Sequence, residues 1–307
     1  MVKFILGRLI QGAAALLALS VIAFAMSRAT GNPLDVLLSP YATKADYDAL
    51  NHVLGLDKPL QVQYWIFLTD LLHGDFGKSV RTGQAVSQIL TDRFRASALL
   101  SLLSIVITFA LGLPMGVISA VYRDQPIDVL VQLVALFGQA IPAFWAGALL
   151  IQVFSVRLAW LPPGNSGRPL DIVLPAITLA LFGIAGVASL LRSSMLDVLD
   201  SESIKLARSK GISEASVVLK HALRNALLPV VSFGGIFFVN LMTIAVVVET
   251  VFAWPGVGLL AYSAIITRDF PIIQGVVLLA GAVSIAVSTL IDILYVYLDP
   301  RIRYEPT

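Results

Sequence analysis

The sequence predicts an all-α polytopic membrane protein with six transmembrane helices. Three observations carry this. Residues of the apolar set AVILMFWYC make up 58% of the 307-residue chain and charged residues only 13%. The mean hydropathy is +0.88. Six charge-free stretches reach or approach the roughly 20 apolar residues that a helix needs to span a bilayer. A soluble domain is about 25% charged. Only helices or closed barrels satisfy the backbone in lipid, and these runs lack the alternation of barrel strands.

The stretches are Leu9–Ser27, Ala96–Tyr122, Val129–Val156, Ile172–Leu191, Asn225–Val248 and Phe270–Ile291, the last resuming after Asp292 to Leu298. Lys3, Arg8 and Ala23-Phe24-Ala25 mimic a signal peptide. The run between them is about as long as a full span, so an uncleaved first helix is expected. Lys and Arg near the span ends set orientation. With the N-terminus inside, the inner segments carry eleven cations and the short outer loops three. Both termini are therefore expected in the cytoplasm. The chain reads as one membrane domain over residues 1–307.

Residues 30–95 form a long extracytoplasmic segment with apolar content of its own (Leu54, Tyr64, Trp65, Phe67), expected as short helices on the outer mouth. Turns are expected at Gly31-Asn32-Pro33, at Pro162-Pro163-Gly164-Asn165 and at Trp254-Pro255-Gly256. The inner loop 192–225 is polar yet patterned. Ile204 and Ala207 share a helix face, and Gly211 suits a helix C-terminus. Ser213 suits an N-cap, and Val217, Val218, Ala222 and Leu223 form an apolar stripe. Two short helices joined at Gly211 are expected here, either resting on lipid or docking a cytoplasmic partner.

Several chemistries are excluded. The chain has no Cys, which removes disulfides and thiolate metal sites. A net charge of +2 offers no field for nucleic acid. Gly74-Asp75-Phe76-Gly77-Lys78-Ser79 has the tail of a phosphate-binding loop, but Leu72 stands where its first glycine belongs. His52, His73 and His221 lack metal-ligand spacing. Asp292 and Glu249 are acids in or beside spans, where a proton relay competes with a structural ion pair or a loop anchor; the structural role is preferred. Gly112 and Gly116 favour close helix packing, with Pro114 able to kink the span.

Several segments together resemble the permease subunits of binding-protein-dependent ABC importers of the dipeptide, oligopeptide and nickel group. Lys205-Leu206-Ala207-Arg208-Ser209-Lys210-Gly211 is similar to their coupling segment, whose pattern is Glu-Ala-Ala, three residues, then Gly. Ala207 and Gly211 match; Lys205 and Leu206 replace Glu and Ala. Leu223-Arg224 stands where Leu-Pro is expected, and His221-Ala-Leu-Arg-Asn225 is typical of the peptide group. Gly74-Asp75-Phe76-Gly77, Phe252-Ala-Trp-Pro255-Gly256-Val-Gly258 following Glu249, Arg268-Asp-Phe-Pro271-Ile-Ile-Gln274 and Asp299-Pro-Arg301 resemble further motifs of that group.

The resemblance implies the fold of a type I ABC importer permease with cytoplasmic coupling helices, in the inner membrane of a bacterium. It implies two cytoplasmic ATPase subunits meeting Lys205, Ala207, Arg208, Lys210, Gly211, His221 and Arg224. It also implies a second homologous permease, an extracytoplasmic substrate-binding protein and contact with membrane lipid. No cofactor is expected in this chain, since ATP and magnesium are bound by the ATPase subunits. Dipeptides or short peptides are the first substrate choice, with glutathione or nickel complexes as alternatives. An ATP-independent secondary carrier is the rival of a different class.

Overall fold

A computed structural model describes residues 2–29, 34, 38, 41–53, 55–164 and 167–298. Gly31-Asn32-Pro33, Leu54, Asn165 and the tail Asp299-Pro-Arg301, with Arg303, lie outside the described residues. Eleven α-helices are used below: α1 Val2–Ala29, α2 Lys44–Val53, α3 Leu60–Leu72, α4 Val86–Val121, α5 Pro126–Ala140, α6 Ala143–Leu150, α7 Val173–Leu199, α8 Glu202–Ser209, α9 Leu223–Val251, α10 Val257–Thr267 and α11 Phe270–Leu298. Among the described residues no strand occurs beyond a single bridge, Lys78 to Ala85.

Five helical segments are long and apolar enough to cross a membrane, and six if the bent pair α5–α6 makes one crossing. That pair corrects the expectation of an unbroken third span over Val129–Val156. The chain turns by 108° between Pro126–Ala140 and Ala143–Arg157. Pro142 causes the break. It lacks an N–H, and its ring drives the preceding residue out of the helical region. Ile141 is accordingly extended, at φ −78 and ψ 124. Pro126 sits in the first turn of α5, where its fixed φ favours a helix start.

Contacts divide the chain into two compact units. The first comprises Met1–Ala96 and Pro255–Ile293. In it α1 and α11 approach closely at Gly12 and Gly281. A Cβ on Gly12 would lie 2.7 Å from Ile285 Cγ2, and one on Gly281 would lie 2.3 Å from Leu19 Cδ2. The short helix α3 packs an aromatic face on α1, with Phe24 5.5 Å from Tyr64 and 5.8 Å from Phe67. Tyr64 Oη also shares a 2.9 Å hydrogen bond with Ser20 Oγ. The expected short helices of the 30–95 segment are thus α2 and α3. Thr43 and Asp46 cap α2 reciprocally: each side chain accepts the other's backbone N–H, at 3.3 and 2.9 Å.

The second unit comprises Ser97–Trp254 and Leu294–Thr307, with α7 at its centre. Of the apolar window in α7, 61% is buried, against 33% for α4. Lipid tails are as apolar as leucine, so spans associate through close packing rather than hydrophobic transfer. Here that packing is interlocked. Gly112 and Gly116 of α4 receive α7, where a Cβ would meet Val187 Cγ1 at 2.8 Å and Leu191 Cβ at 2.8 Å. Gly183 and Gly186 of α7 receive the rings of Phe237 and Phe233 from α9. Gly234 of α9 receives Phe109 from α4. Phe233 and Phe237 stack 5.9 Å apart with planes 5° from parallel. The packing role expected for Gly112 and Gly116 is the one observed.

A Cβ on Gly183 would lie 2.4 Å from Phe237 Cε1 and 2.8 Å from Thr108 Cγ2. Gly183→Val is expected to destabilise the purified chain by about 2–3 kcal/mol, the usual range for overpacking. A thermal unfolding midpoint in detergent measures this, with Gly7→Val, whose Cβ meets nothing within 4 Å, as the silent control.

Candidate functional site: the 200–224 segment and its supports

The segment after α7 begins at Ser201, extended at φ −72 and ψ 153, which starts α8. Ile204 is buried and Ala207 half-buried, while Lys205, Leu206, Arg208 and Lys210 are exposed. This amphipathic helix ends in a Schellman motif. The Gly211 N–H donates to the Arg208 carbonyl at 3.0 Å, and the Ile212 N–H to the Ala207 carbonyl at 3.3 Å. Such a closure places one residue in the left-handed region, a role glycine fills without Cβ strain. Gly211 has φ +77, and a Cβ there would meet nothing within 4 Å. Within the chain it is therefore the backbone, and not lack of room, that calls for glycine.

The second short helix expected here is not separate. Ser213 has the extended N-cap conformation, at φ −60 and ψ 144, but its side chain makes no capping bond. One turn, Glu214–Ser216, runs into a π-helical stretch, Val217–Ala222, and then into α9. Nothing interrupts it, since neither Gly nor Pro occurs between Glu214 and Pro229. Val217, Val218 and Ala222 are buried. Val218 and Ala222 continue into Ala226 and Val230, in one cluster with Val187, Leu191 and Met195 of α7. The expected stripe is present, but it holds the foot of a long helix.

On the other side of that foot, Leu219, Lys220 and Arg224 are exposed and His221 is half-buried. The glycine turn is clipped by a bidentate ion pair. Arg208 Nη2 and Nε donate to Glu214 at 2.6 and 3.2 Å. Both side chains are well exposed, so the pair adds about 0.5 kcal/mol and mainly fixes direction. Lys205 donates to Glu202 at 2.8 Å one turn back.

Sequence reasoning missed the polar cluster at the foot of α5. Asp128 is 1% exposed. Its carboxylate accepts from Arg192 Nε at 2.8 Å and Nη2 at 2.7 Å. It also accepts from Ser119 Oγ at 2.5 Å, Gln132 Nε2 at 2.9 Å and the Asp124 N–H at 3.0 Å. The cluster ties α4, α5 and α7 together, with Arg192 about two helical turns before the 200–224 segment. The available signal was a lone acid in the first turn of an apolar helix and an arginine directly after another apolar run, 64 residues apart.

The motif Gly74-Asp75-Phe76-Gly77 follows α3. Gly74, at φ +77, closes α3 with the same two-bond motif as Gly211: its N–H donates to Leu71 at 3.0 Å and that of Asp75 to Asp70 at 3.0 Å. Asp75 Oδ1 accepts the Gly77 N–H at 2.8 Å, the turn that Asx residues favour. Phe76 packs in the cluster of Val86, Leu90, Leu260, Ala264, Ile272 and Val276. Asp269, in the Arg268-Asp-Phe-Pro271 motif, holds the rest of this loop. It is 2% exposed and accepts from Ser79 Oγ at 2.5 Å and the Val80 N–H at 3.3 Å. This long-range anchor is a second residue whose role the sequence did not reveal.

Glu249 is fully buried and accepts from Ser97 Oγ at 2.5 Å, a tie between α9 and α4. Phe252 is 1% exposed, and Gly147 and Gly164 close on it. The strained backbone of this motif falls on Ala253, at φ +50. Gly256 is the extended N-cap of α10; Gly256 and Gly258 are buried and Pro255 half-buried. Asp292 pairs with Arg8 at 2.9 Å, the structural role preferred over a relay. No group of three metal-ligating residues occurs among the described residues.

Removing one partner of a buried ion pair strands the other. Asp128→Asn is expected to destabilise the chain by about 2–4 kcal/mol. Asp128→Leu with Arg192→Met is expected to recover most of that loss, read as a coupling in a thermal double-mutant cycle. Asp269→Ala is expected to speed hydrogen exchange across Ser79–Gln84 by at least about tenfold, since it frees loop amides that the carboxylate now holds.

Two family models cover the chain. Residues 112–304 match the binding-protein-dependent transport system inner membrane component. Residues 1–103 match the N-terminal membrane component of the same systems. A Brucella abortus protein, whose name assigns it to a peptide transport system as permease, is 38% identical over 99% of this chain and 100% of its own. The Salmonella typhimurium glutathione transport system permease protein GsiC is 38% identical over 99% and 100%. The fold matches a chain of the MetNI methionine ABC transporter, in inward-facing conformations. That match has a TM-score of 0.61 and 17% identity over 69% of this chain and 97% of the other. The chain is a multi-pass inner membrane permease of the binding-protein-dependent ABC importer family.

Proposed function

We propose that this permease imports dipeptides or short peptides by alternating access, with the whole chain acting as one membrane domain. Both termini and the 200–224 segment lie in the cytoplasm; residues 30–95 and the motifs at 74–77 and 249–258 lie on the opposite side. Two ATPase subunits bind ATP and magnesium and grip the glycine turn through Lys205, Ala207, Arg208, Lys210, Gly211, His221 and Arg224. A second homologous permease completes the path, and a substrate-binding protein delivers the cargo. This chain contributes no ATPase site and no cofactor.

The observation that carries the lever role is the mechanical continuity of the segment. The Arg208–Glu214 pair clips the glycine turn, and the chain from Glu214 runs without a break into α9. A push on the turn is delivered to a spanning helix and, through the cluster of Val218 and Ala222, to α7. ATP shifts the transporter between states only by binding them with different affinity, and a stiff connection is what transmits that difference. The relative named for peptide transport supports the peptide substrate. The equally similar GsiC supports glutathione, itself a tripeptide, as the second choice.

The test uses the complete transporter in proteoliposomes. ATP-dependent uptake of radiolabelled dialanine and trialanine is expected, with glutathione as competitor. Gly211→Asp is expected to insert and fold, because Asp tolerates the left-handed region better than most residues, yet to lose uptake while ATP hydrolysis continues. Unchanged uptake in that variant refutes the lever. Solute accumulation by the chain alone, without nucleotide, refutes the importer mechanism and favours a secondary carrier.

A further inference from the structure

We infer that Gln132, Gln139 and Ser189 form a polar strip on the wall of the translocation path, and that they hold the main chain of a short peptide. The inference rests on the import role proposed above. A cleft of about 450 Å³ between α5 and α7 is lined by Val129, Gln132, Leu133, Leu136, Gln139 and Ser189. Both glutamines and the serine are exposed. Their neighbours on the helices are apolar, and α5 lies in a segment apolar enough for membrane depth. Polar side chains at that depth face a bundle interior or a water-filled cavity rather than lipid. The outward face of α5 away from the cleft, with Leu130, Val134 and Phe137, is by contrast wholly apolar.

The chemistry of the strip is neutral and amide-like. Gln132 gives its Nε2 to Asp128 at 2.9 Å, which leaves its Oε1 as an acceptor. The Gln139 amide offers donors and an acceptor, and the Ser189 hydroxyl offers both. Such groups match peptide N–H and C=O groups and ignore side-chain identity. The two glutamines are seven residues apart on one helix, about 10 Å along its axis. That is the length of about three extended residues. The buried Asp128–Arg192 pair sits immediately below and fixes the orientation of Gln132.

The chain has no Cys of its own, so label found on it reports the introduced position. Gln139→Cys, Ser189→Cys and Leu130→Cys are introduced singly into the complete transporter in membranes. Each is treated with a membrane-impermeant methanethiosulfonate, with and without nucleotide. Reaction at 139 and 189 is expected to be faster than at Leu130→Cys and to slow when trialanine and the binding protein are present. Equal rates at all three positions, in every nucleotide state, overturn the inference. Gln139→Leu is expected to lower trialanine uptake about tenfold, the scale of one lost hydrogen bond, while stimulated ATP hydrolysis persists. Undiminished uptake overturns the peptide contact. Should the unsubstituted transporter move no peptide yet label as expected, the peptide substrate falls and the aqueous wall stands.

Discussion

Close approach of helix backbones at glycine is the constraint on which the second unit depends. In lipid, an exposed leucine loses nothing by staying exposed, so helices stay together only where surfaces mesh. Gly112 and Gly116 let α4 reach α7, Gly183 and Gly186 take the Phe237 and Phe233 rings of α9, and Gly234 takes Phe109. Each helix is both donor and receiver of a knob. This reciprocity fixes rotation as well as distance, and rotation decides which side chains face the cleft beside α5.

Polar groups supply what packing alone does not, which is specificity of register. Asp128 gathers Ser119, Gln132 and Arg192, and Asp269 gathers the loop from Ser79 to Val80. Each arrangement leaves an ion or hydroxyl stranded in a poor solvent if the helices slip. Glu249 with Ser97 follows the same logic within the second unit. A buried pair of this kind specifies an arrangement more than it adds net stability.

The 200–224 segment shows how ordinary local rules build a continuous connection between two helices. A Schellman closure at Gly211, an ion pair across the turn and an unbroken helix onward are each modest. Together they join a surface helix rigidly to a span. The same two-bond closure recurs at Gly74, where it ends α3 and launches the loop held by Asp269.

The sequence by itself determined the elements whose causes are local. Apolar runs announced the spans, because lipid accepts only long apolar helices. Gly211 announced a helix end, because only a left-handed residue completes that closure. Pro142 stood in plain view within the third run, yet whether a proline kinks a helix or turns it by 108° depends on what packs on either side. The continuation of Glu214–Ala222 into α9 was hidden likewise, since its stripe fits a short surface helix equally well. The Asp128–Arg192 pair, the Ser79–Asp269 anchor and the facing of Gln139 were decided by tertiary structure alone. The pair and the glutamine depend on the rotation of one helix against another, and the anchor on two loops 190 residues apart meeting. An apolar span looks alike from every side until the glycines of its neighbours are known.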